Sequence, residues 1–417
     1  MTSEGGDARA LTGDWLVRTA GAGEWRTVAE QALDERGWAV TLSPGRWWLD
    51  PELGDEVGVL YRRHFDLPAD LASQLDAGAH PEVRWWLVAS GLCELGHFWL
   101  DGAYLGDLRG RHIEHTFEVS HLLRSRSEHL TAVEASHGAV RVPQSHDAQV
   151  RISRTGPARI ERVRALVIEA SPDRAVLRIA ATVDSAGTHR CEVTTTVLRT
   201  ASAGTDPAEV GSAGTAAGTP ASEDAVPGDG LAVSEPVLAR GRNELEWLVA
   251  LERPSLWWPA GLGNQALYCI DIDVAIDGRS SHAVRLSTGI RTVSVRRGRL
   301  AVNGEPLRDG FDALRVAKHE LGHRGVYESA NADGKLLCQQ VTLDPSVFMG
   351  AERGLRALAA QAAAVAADHA GHHPSVAAWQ PVHPPGSRRR TPRRGSWTDR
   401  TVRQAMQAAD PTRPVLT

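Results

Sequence analysis

Five consecutive residues, His319-Glu320-Leu321-Gly322-His323, have the types and spacing of a zinc-hydrolase helix. Two histidines four apart share one helix face and can ligate zinc, and the glutamate between them can serve as general base. A helix over 312–323 would present them, with Leu314, Ala317 and Leu321 on the opposite side. Glu328, Glu352 and His369 are conceivable third ligands, but no spacing singles one out, and Gly322 weakens the helix. A second candidate is the run of Arg388, Arg389, Arg390, Arg393 and Arg394. Without interleaved aromatic residues it reads as a solvated loop, and a net charge of −5 gives the whole molecule no pull toward nucleic acid. Tryptophan is over-used, at 13 residues against 5 Phe and 4 Tyr. Indole rings fill sandwich cores and also stack on sugars; core packing is the expectation for most of them, including Trp47-Trp48 and Trp85-Trp86.

The elements that must position such groups are mostly strands. Residues 84–89, 97–100, 103–105, 116–119 and 129–133 alternate or cluster apolar residues between turns. Asp101-Gly102 between two of these runs predicts a hairpin. Many short strands at close spacing predict a jelly-roll sandwich over 1–155. Runs at 163–169, 175–183, 191–199 and 243–251 predict an immunoglobulin-like sandwich over 156–296. Its 200–230 stretch of Ala, Gly, Ser, Thr, Pro and acids has no aromatic residue and is expected to be a disordered insertion. Beyond 297 the character changes, and 353–370 is predicted to be a helix.

Cys93, Cys191, Cys269 and Cys338 form no C-x-x-C pair, which argues against zinc ribbons and disulfide frameworks and for a reducing compartment. Met1 to Trp15 lacks the basic and apolar regions of a signal peptide, and no stretch approaches 18 apolar residues. The expectation is a cytoplasmic protein with no membrane partner.

Four segments resemble the accessory domains of glycoside hydrolase family 2, the family of β-mannosidases, β-galactosidases and β-glucuronidases. They are Phe98-Trp99-Leu100-Asp101-Gly102-Ala103-Tyr104-Leu105-Gly106, then Phe117-Glu118-Val119-Ser120, then Leu256-Trp257-Trp258-Pro259 with Gly263-Asn264-Gln265-Ala266-Leu267-Tyr268, and finally Gly289-Ile290-Arg291 with Val302-Asn303-Gly304-Glu305-Pro306-Leu307. The Trp-Trp-Pro form resembles the β-mannosidase-like branch. Weaker matches continue through Leu314-Arg315-Val316, Val326-Tyr327-Glu328-Ser329, His373-Pro374-Ser375-Val376-Ala377-Ala378-Trp379 and Asp410-Pro411-Thr412-Arg413-Pro414.

The resemblance implies a mainly β chain: a galactose-binding-like jelly roll, an immunoglobulin-like sandwich, and over 297–417 a partial, degenerate α/β region like a TIM barrel. It implies a retaining mechanism with two carboxyl groups about 5 Å apart, one donating a proton and one attacking the anomeric carbon. The acid/base position falls near Pro384, in Trp379-Gln380-Pro381-Val382-His383-Pro384-Pro385, which holds no carboxylate. The nucleophile is expected beyond Thr417, and the 121 residues from Arg297 fall short of the roughly 250 of a full barrel. The first barrel strand looks deleted after Leu307, and 136–150 lacks the Trp that this branch sends toward the sugar. The expectation is therefore a family 2 homologue that is catalytically inactive, with no cofactor and an irregular C-terminal region. Arg315 and Trp379 are the residues expected to contact a glycoside. A homo-oligomer or a second chain completing the barrel is an expected partner. A non-catalytic carbohydrate-binding or scaffolding protein, and a zinc hydrolase through His319, Glu320 and His323, are the alternatives.

Overall fold

The computed structural model describes residues 3–5, 8–11, 13–19, 28–30, 32–41, 58–67, 83–93, 95–109, 113–123, 128–136, 149–200, 229–307, 315–317, 324–342, 352–382 and 397–416. The 201–228 insertion, Trp47-Trp48, the arginine run and most of the 136–150 segment lie outside these residues.

The first sandwich pairs a six-stranded with a four-stranded antiparallel sheet. The larger runs in the order Ala39–Thr41, Trp15–Thr19, Gly58–Asp66, Glu128–Ser136, Leu95–Leu100, Ala103–Arg109, and the smaller Arg9–Ala10, Gln149–Thr155, Arg84–Ser90, His115–Glu118. Alternation along the strands sends Trp15, Tyr61, Trp85, Leu87, Phe98, Leu100, Val133 and Ile152 into one core between the sheets. The predicted hairpin closes on Asp101 and Gly102 at φ 52° and 84°. Positive φ at both central residues gives the turn whose twist matches the flanking strands. His129 Nδ1 lies 2.7 Å from Asp101 Oδ2, and the Leu130 amide donates to Asp101 Oδ1, fixing the turn against the neighbouring strand.

In the second sandwich Ala158–Ala170, Arg174–Ser185 and Gly241–Glu252 form one sheet. Arg279–Thr288, Tyr268–Ile276, His189–Arg199 and Gly230–Ser234 run in order through the other, and Ser3–Gly5 adds to its edge beside Arg279–Thr288. Leu177, Ile179, Val193, Val249, Tyr268, Ile270 and Ile272 fill the space between them. The two sandwiches meet at Arg84, whose guanidinium donates to Glu118 and Asp184 at 2.6 and 2.5 Å. Trp86 lies under Arg84 and Arg159, at 4.5 and 5.0 Å from ring centre to guanidinium carbon. Trp85 and Trp86 are therefore core and junction residues, as expected.

After a small three-stranded sheet over 293–306, the chain changes architecture. Arg315–Ala317, Leu337–Thr342 and Val376–Val382 form a parallel sheet in chain order, linked by helices Arg324–Asp333 and Glu352–Ala370 and followed by helix Trp397–Ala409. Residues 414–416 lie parallel beside Trp379, with Leu416 N–H donating to the Trp379 carbonyl at 2.7 Å. An irregular C-terminal region was the expectation; among the described residues the unit is regular. The reason is the Ala-rich helix, whose small side chains at Ala359, Ala363, Ala366, Ala367 and Ala370 let it lie close on Val341, Val376 and Trp379 in one core. All four cysteines are free.

Candidate functional site

In parallel β/α sheets, ligands bind beyond the carboxyl ends of the strands, where loops gather; the opposite end serves stability. Here the carboxyl ends are at Ala317, Thr342 and Val382. Leading to them is a chain of neutral polar groups. Tyr327 hydroxyl donates to Gln339 Oε1 at 2.6 Å, Gln339 Nε2 to the Gln340 carbonyl at 2.7 Å, and Gln340 Nε2 to Gln380 Oε1 at 3.0 Å. Amides and a phenol can hold hydroxyl groups but cannot supply the paired acids of a retaining glycosidase. None of the three strands carries an Asp or Glu.

The sequence-predicted residues fall in different places. Arg315 opens the first parallel strand, opposite Leu337. Trp379 is completely buried in the third strand, its indole N–H donating to Asp410 Oδ2 at 2.9 Å and its ring 6.0 Å from the Arg413 guanidinium carbon. That geometry is a core role, with the indole edge already satisfied. Pro384 and the zinc-motif residues His319, Glu320 and His323 lie outside the described residues. Residues 315–317, expected in the zinc alternative to belong to a helix over 312–323, instead form a strand, because their backbone pairs with 337–339. Of the conceivable third ligands, Glu328 accepts from Arg324 at 2.6 Å and His369 packs edge-on to Tyr327. Among the described residues no three His, Cys, Asp or Glu side chains converge to hold a metal ion.

Sequence reasoning missed the polar network at the opposite, amino end of the sheet. Arg413, almost fully buried, donates to the carbonyls of Val376, Gly371 and His373 and to Asp410 Oδ2, at 2.6 to 3.1 Å. Arg291, at the exit of the second sandwich, donates to the carbonyls of Pro374 and Val376. Asn331 binds this turn from the helix side: its Oδ1 accepts the Ser375 amide at 3.1 Å, and its Nδ2 lies 2.9 Å from His373 Nδ1. The Trp257 indole donates to the Asn331 carbonyl at 2.9 Å.

Burial, reinforced by neighbouring cationic groups, pushes His372 and His373 well below the ordinary histidine range. His373 is thus neutral, and its Nδ1 accepts from Asn331 while the proton sits on Nε2. Burial and the Arg413 charge also lower Arg291. Burial alone would raise Asp410, but Arg413, Thr412 and Trp379 outweigh it and hold the carboxyl below its usual value. These groups tie the His373-Pro374-Ser375 turn to the second sandwich. Arg291, Asn331 and Arg413 stand 40 and 82 positions apart, so nothing in the sequence signals their convergence before the chain is folded.

Residues 158–291 match the model of the glycosyl hydrolases family 2. An exo-β-D-glucosaminidase from Amycolatopsis orientalis is 36% identical over 101 residues, which is 23% of this chain and 9% of that protein. A family 2 glycosyl hydrolase from Bacteroides cellulosilyticus superposes with a TM-score of 0.71 at 14% identity, over 98% of this chain and 57% of the other. A β-D-mannosidase from Dictyoglomus thermophilum superposes with a TM-score of 0.67, also at 14% identity and with the same coverage. The chain spans little more than half the length of these two structures. No described helix is long and apolar enough to cross a membrane. The chain is thus a relative of the family 2 glycosyl hydrolases, matched in sequence through its second sandwich and in fold from the first sandwich to the parallel β/α unit.

Proposed function

We propose that this chain is a glycosidase-like protein of the β-mannosidase-like branch whose own residues do not cleave glycosidic bonds. One observation carries the reading. The third parallel strand, which resembles the strand that delivers the family's acid/base, runs on from Trp379 as Gln380-Pro381-Val382-His383-Pro384, without a carboxylate. A retaining glycosidase needs that acid to protonate the leaving oxygen. Amide, proline and valine side chains have no proton to exchange, and His383 is the one titratable residue in the 380–385 sequence. The branch assignment rests on Trp257-Trp258-Pro259 and the segments after it. Gln340 and Gln380, half-buried and hydrogen-bonded to each other at 3.0 Å, suit holding a sugar through its hydroxyls, in this chain alone or with a second chain that completes the site.

The test is hydrolysis of 4-nitrophenyl β-mannoside, β-galactoside, β-glucuronide and β-glucosaminide by the purified chain, with and without azide. Azide can replace a missing acid/base on activated aryl glycosides when a nucleophile is present, and so separates loss of one carboxyl from loss of both. The expected release is the rate of the buffer alone in both series. Turnover of any substrate above that rate, with or without azide, overturns the proposal.

A further inference from the structure

The outer face of the six-stranded sheet in the first sandwich buries a second apolar cluster of Val28, Ala29, Leu60, Trp99 and Ala132, and beside its Trp99 stands a group of polar side chains. Strands Leu95–Leu100 and Ala103–Arg109 pair His97 with Asp107 and Trp99 with Tyr104, and the register slips between these pairs. In an unbroken strand, residues three apart face opposite sides of the sheet. The extra residue of the bulge, Leu105, turns Tyr104 and Asp107 to the same side. The bulge needs Gly106, whose φ is 155°; a Cβ there would lie 2.8 Å from the Phe117 ring. On the next strand Glu134 stands opposite His97, so a row of Glu134, His97 and Asp107 crosses three strands beside Trp99 and Tyr104.

The Tyr104 hydroxyl donates to Asp107. His97 Nδ1 lies 3.0 Å from Asp107 Oδ1, and its Nε2 lies 3.9 Å from Glu134 Oε2. Arg109 donates to the other Asp107 oxygen at 3.0 Å. The rings of His97, Trp99 and Tyr104 pack with centroids 5.6 to 5.9 Å apart. Trp99 is buried beneath, while Tyr104 is 52% exposed. The Glu134 side chain is only 14% exposed, yet among the described residues it accepts no hydrogen bond, and His97 Nε2 lies 3.9 Å away. A carboxylate so enclosed leaves acceptor capacity unused, which is unfavourable unless a donor arrives.

We propose that this cluster is a binding subsite for a neutral pyranose, with the sugar's C–H face on the Tyr104 ring and its hydroxyls donating to Glu134 and Asp107. The three rings touch one another and leave no cage between them for an ammonium group, so the ligand lies on Tyr104 rather than among the rings. Arg109 offsets the charge of Asp107, but no Lys or Arg pairs with Glu134 among the described residues, so Glu134 disfavours a uronic acid beside it. The hydrogen bond to Asp107 holds the phenol in one orientation before the sugar arrives, which lowers the ordering cost of binding. The proposal concerns the first sandwich alone and stands whether or not the parallel unit is catalytic.

The test is calorimetric titration of the full chain with β-1,4-mannohexaose, cellohexaose and a hexagalacturonate. Saturable heat is expected with at least one neutral hexamer and none with the uronate. Tyr104→Ala and Glu134→Gln should each weaken binding about ten-fold or more. Tyr104→Leu, which keeps Trp99 covered, should weaken it equally if the parent melting temperature is retained, separating lost stacking from lost fold. Arg279→Gln, exposed on the second sandwich, should leave it unchanged. No heat with either neutral hexamer, tight binding of the uronate, or binding that the Tyr104 and Glu134 variants leave intact would overturn the assignment.

Discussion

Asp410→Ala should loosen the parallel unit far more than the size of the side chain suggests. The Asp410 carboxylate is fully buried and accepts from Arg413 Nη1 at 2.6 Å, the Trp379 indole at 2.9 Å, and the Thr412 amide and hydroxyl at 2.9 and 2.6 Å. Removing it leaves a buried guanidinium without its counter-ion and a buried indole N–H without an acceptor. Breaking one side of a buried pair costs about 3–5 kcal/mol, most of it the penalty of the charge left behind. A loss of about 4 kcal/mol corresponds to local opening about a thousand-fold more often. The suitable assay is amide hydrogen exchange on peptides covering Val376–Val382, because a chain with several cooperative units has no single unfolding free energy. The strands of the two sandwiches should exchange as in the parent, serving as internal control. Removing both charges in an Asp410→Leu, Arg413→Met double variant should cost less than Asp410→Ala alone, since nothing charged is then stranded. Acceleration of less than about three-fold for Asp410→Ala, a change of under 1 kcal/mol, would refute the reasoning. The sign in pH follows from the same contacts. Folding lowers the Asp410 pKa, so its stabilisation is fully present above the ordinary carboxyl value of 3.8 and is lost as the pH falls through the lower folded value.

Three further outcomes are expected. Gly289→Ala should destabilise the junction between the second sandwich and the parallel unit by about 2 kcal/mol by overpacking, because the new methyl would lie 2.7 Å from Pro374 Cγ and 2.9 Å from Trp257 Cβ; thermal melting measures it. Asp368→Asn should cost less than about 1 kcal/mol at neutral pH despite the 2.7 Å contact with Arg164. Burial raises the Asp368 pKa more than Arg164 lowers it, so its favourable contribution is present below the ordinary value of 3.8 and is lost as pH rises through the folded value; melting curves of parent and variant should shift relative to each other in favour of Asn with rising pH. At the sandwich junction burial opposes ionisation of Glu118, but Arg84 outweighs it and lowers the pKa. That contact should therefore hold above pH 4.5, the ordinary value, and weaken as the pH falls through the folded value, read by exchange at His115–Glu118.

The sandwiches were legible because each strand buries one face, so apolar residues recur every second position and turns declare themselves through Asp-Gly and Asn-Gly. Thus the strands around 84–89, 97–105 and 175–183 fall where alternation places them. The parallel strands were legible only through resemblance. Arg315–Ala317 is three residues long, and Val376–Val382 is buried over its first four positions, so neither alternates. His319-Glu320-Leu321-Gly322-His323 illustrates the limit of reading spacing alone: four-residue spacing implies one face only if the chain is helical, and just before it the backbone at Arg315–Ala317 pairs as strand. Trp379 could be read either as a sugar platform or as core, because an indole serves both, and the choice depends on Asp410, thirty-one positions away. The Tyr104–Asp107 arrangement was hidden for a related reason: strict alternation places these residues on opposite faces, and only the bulge at Leu105 brings them together.

The parallel unit separates what holds it together from what would act. Arg291, Asn331, Arg413 and Asp410 cluster where the third strand begins, and each satisfies backbone or side-chain groups that would otherwise be buried unpaired. Glycosidic chemistry would need charge at the other end of the same strand, where the chain offers Gln380, Pro381 and Val382. The two ends are energetically independent to first order, because groups this far apart with no shared partner add rather than couple. Replacing an acid at the carboxyl end by an amide or an apolar group removes a desolvation penalty and tends to leave stability unchanged or improved. Nothing in the folding physics therefore penalises a family 2 scaffold that keeps its amino-end network without a carboxylate at the opposite end. The β-sandwiches, the regular parallel unit and the absence of acidic residues from its strands are consistent with one another.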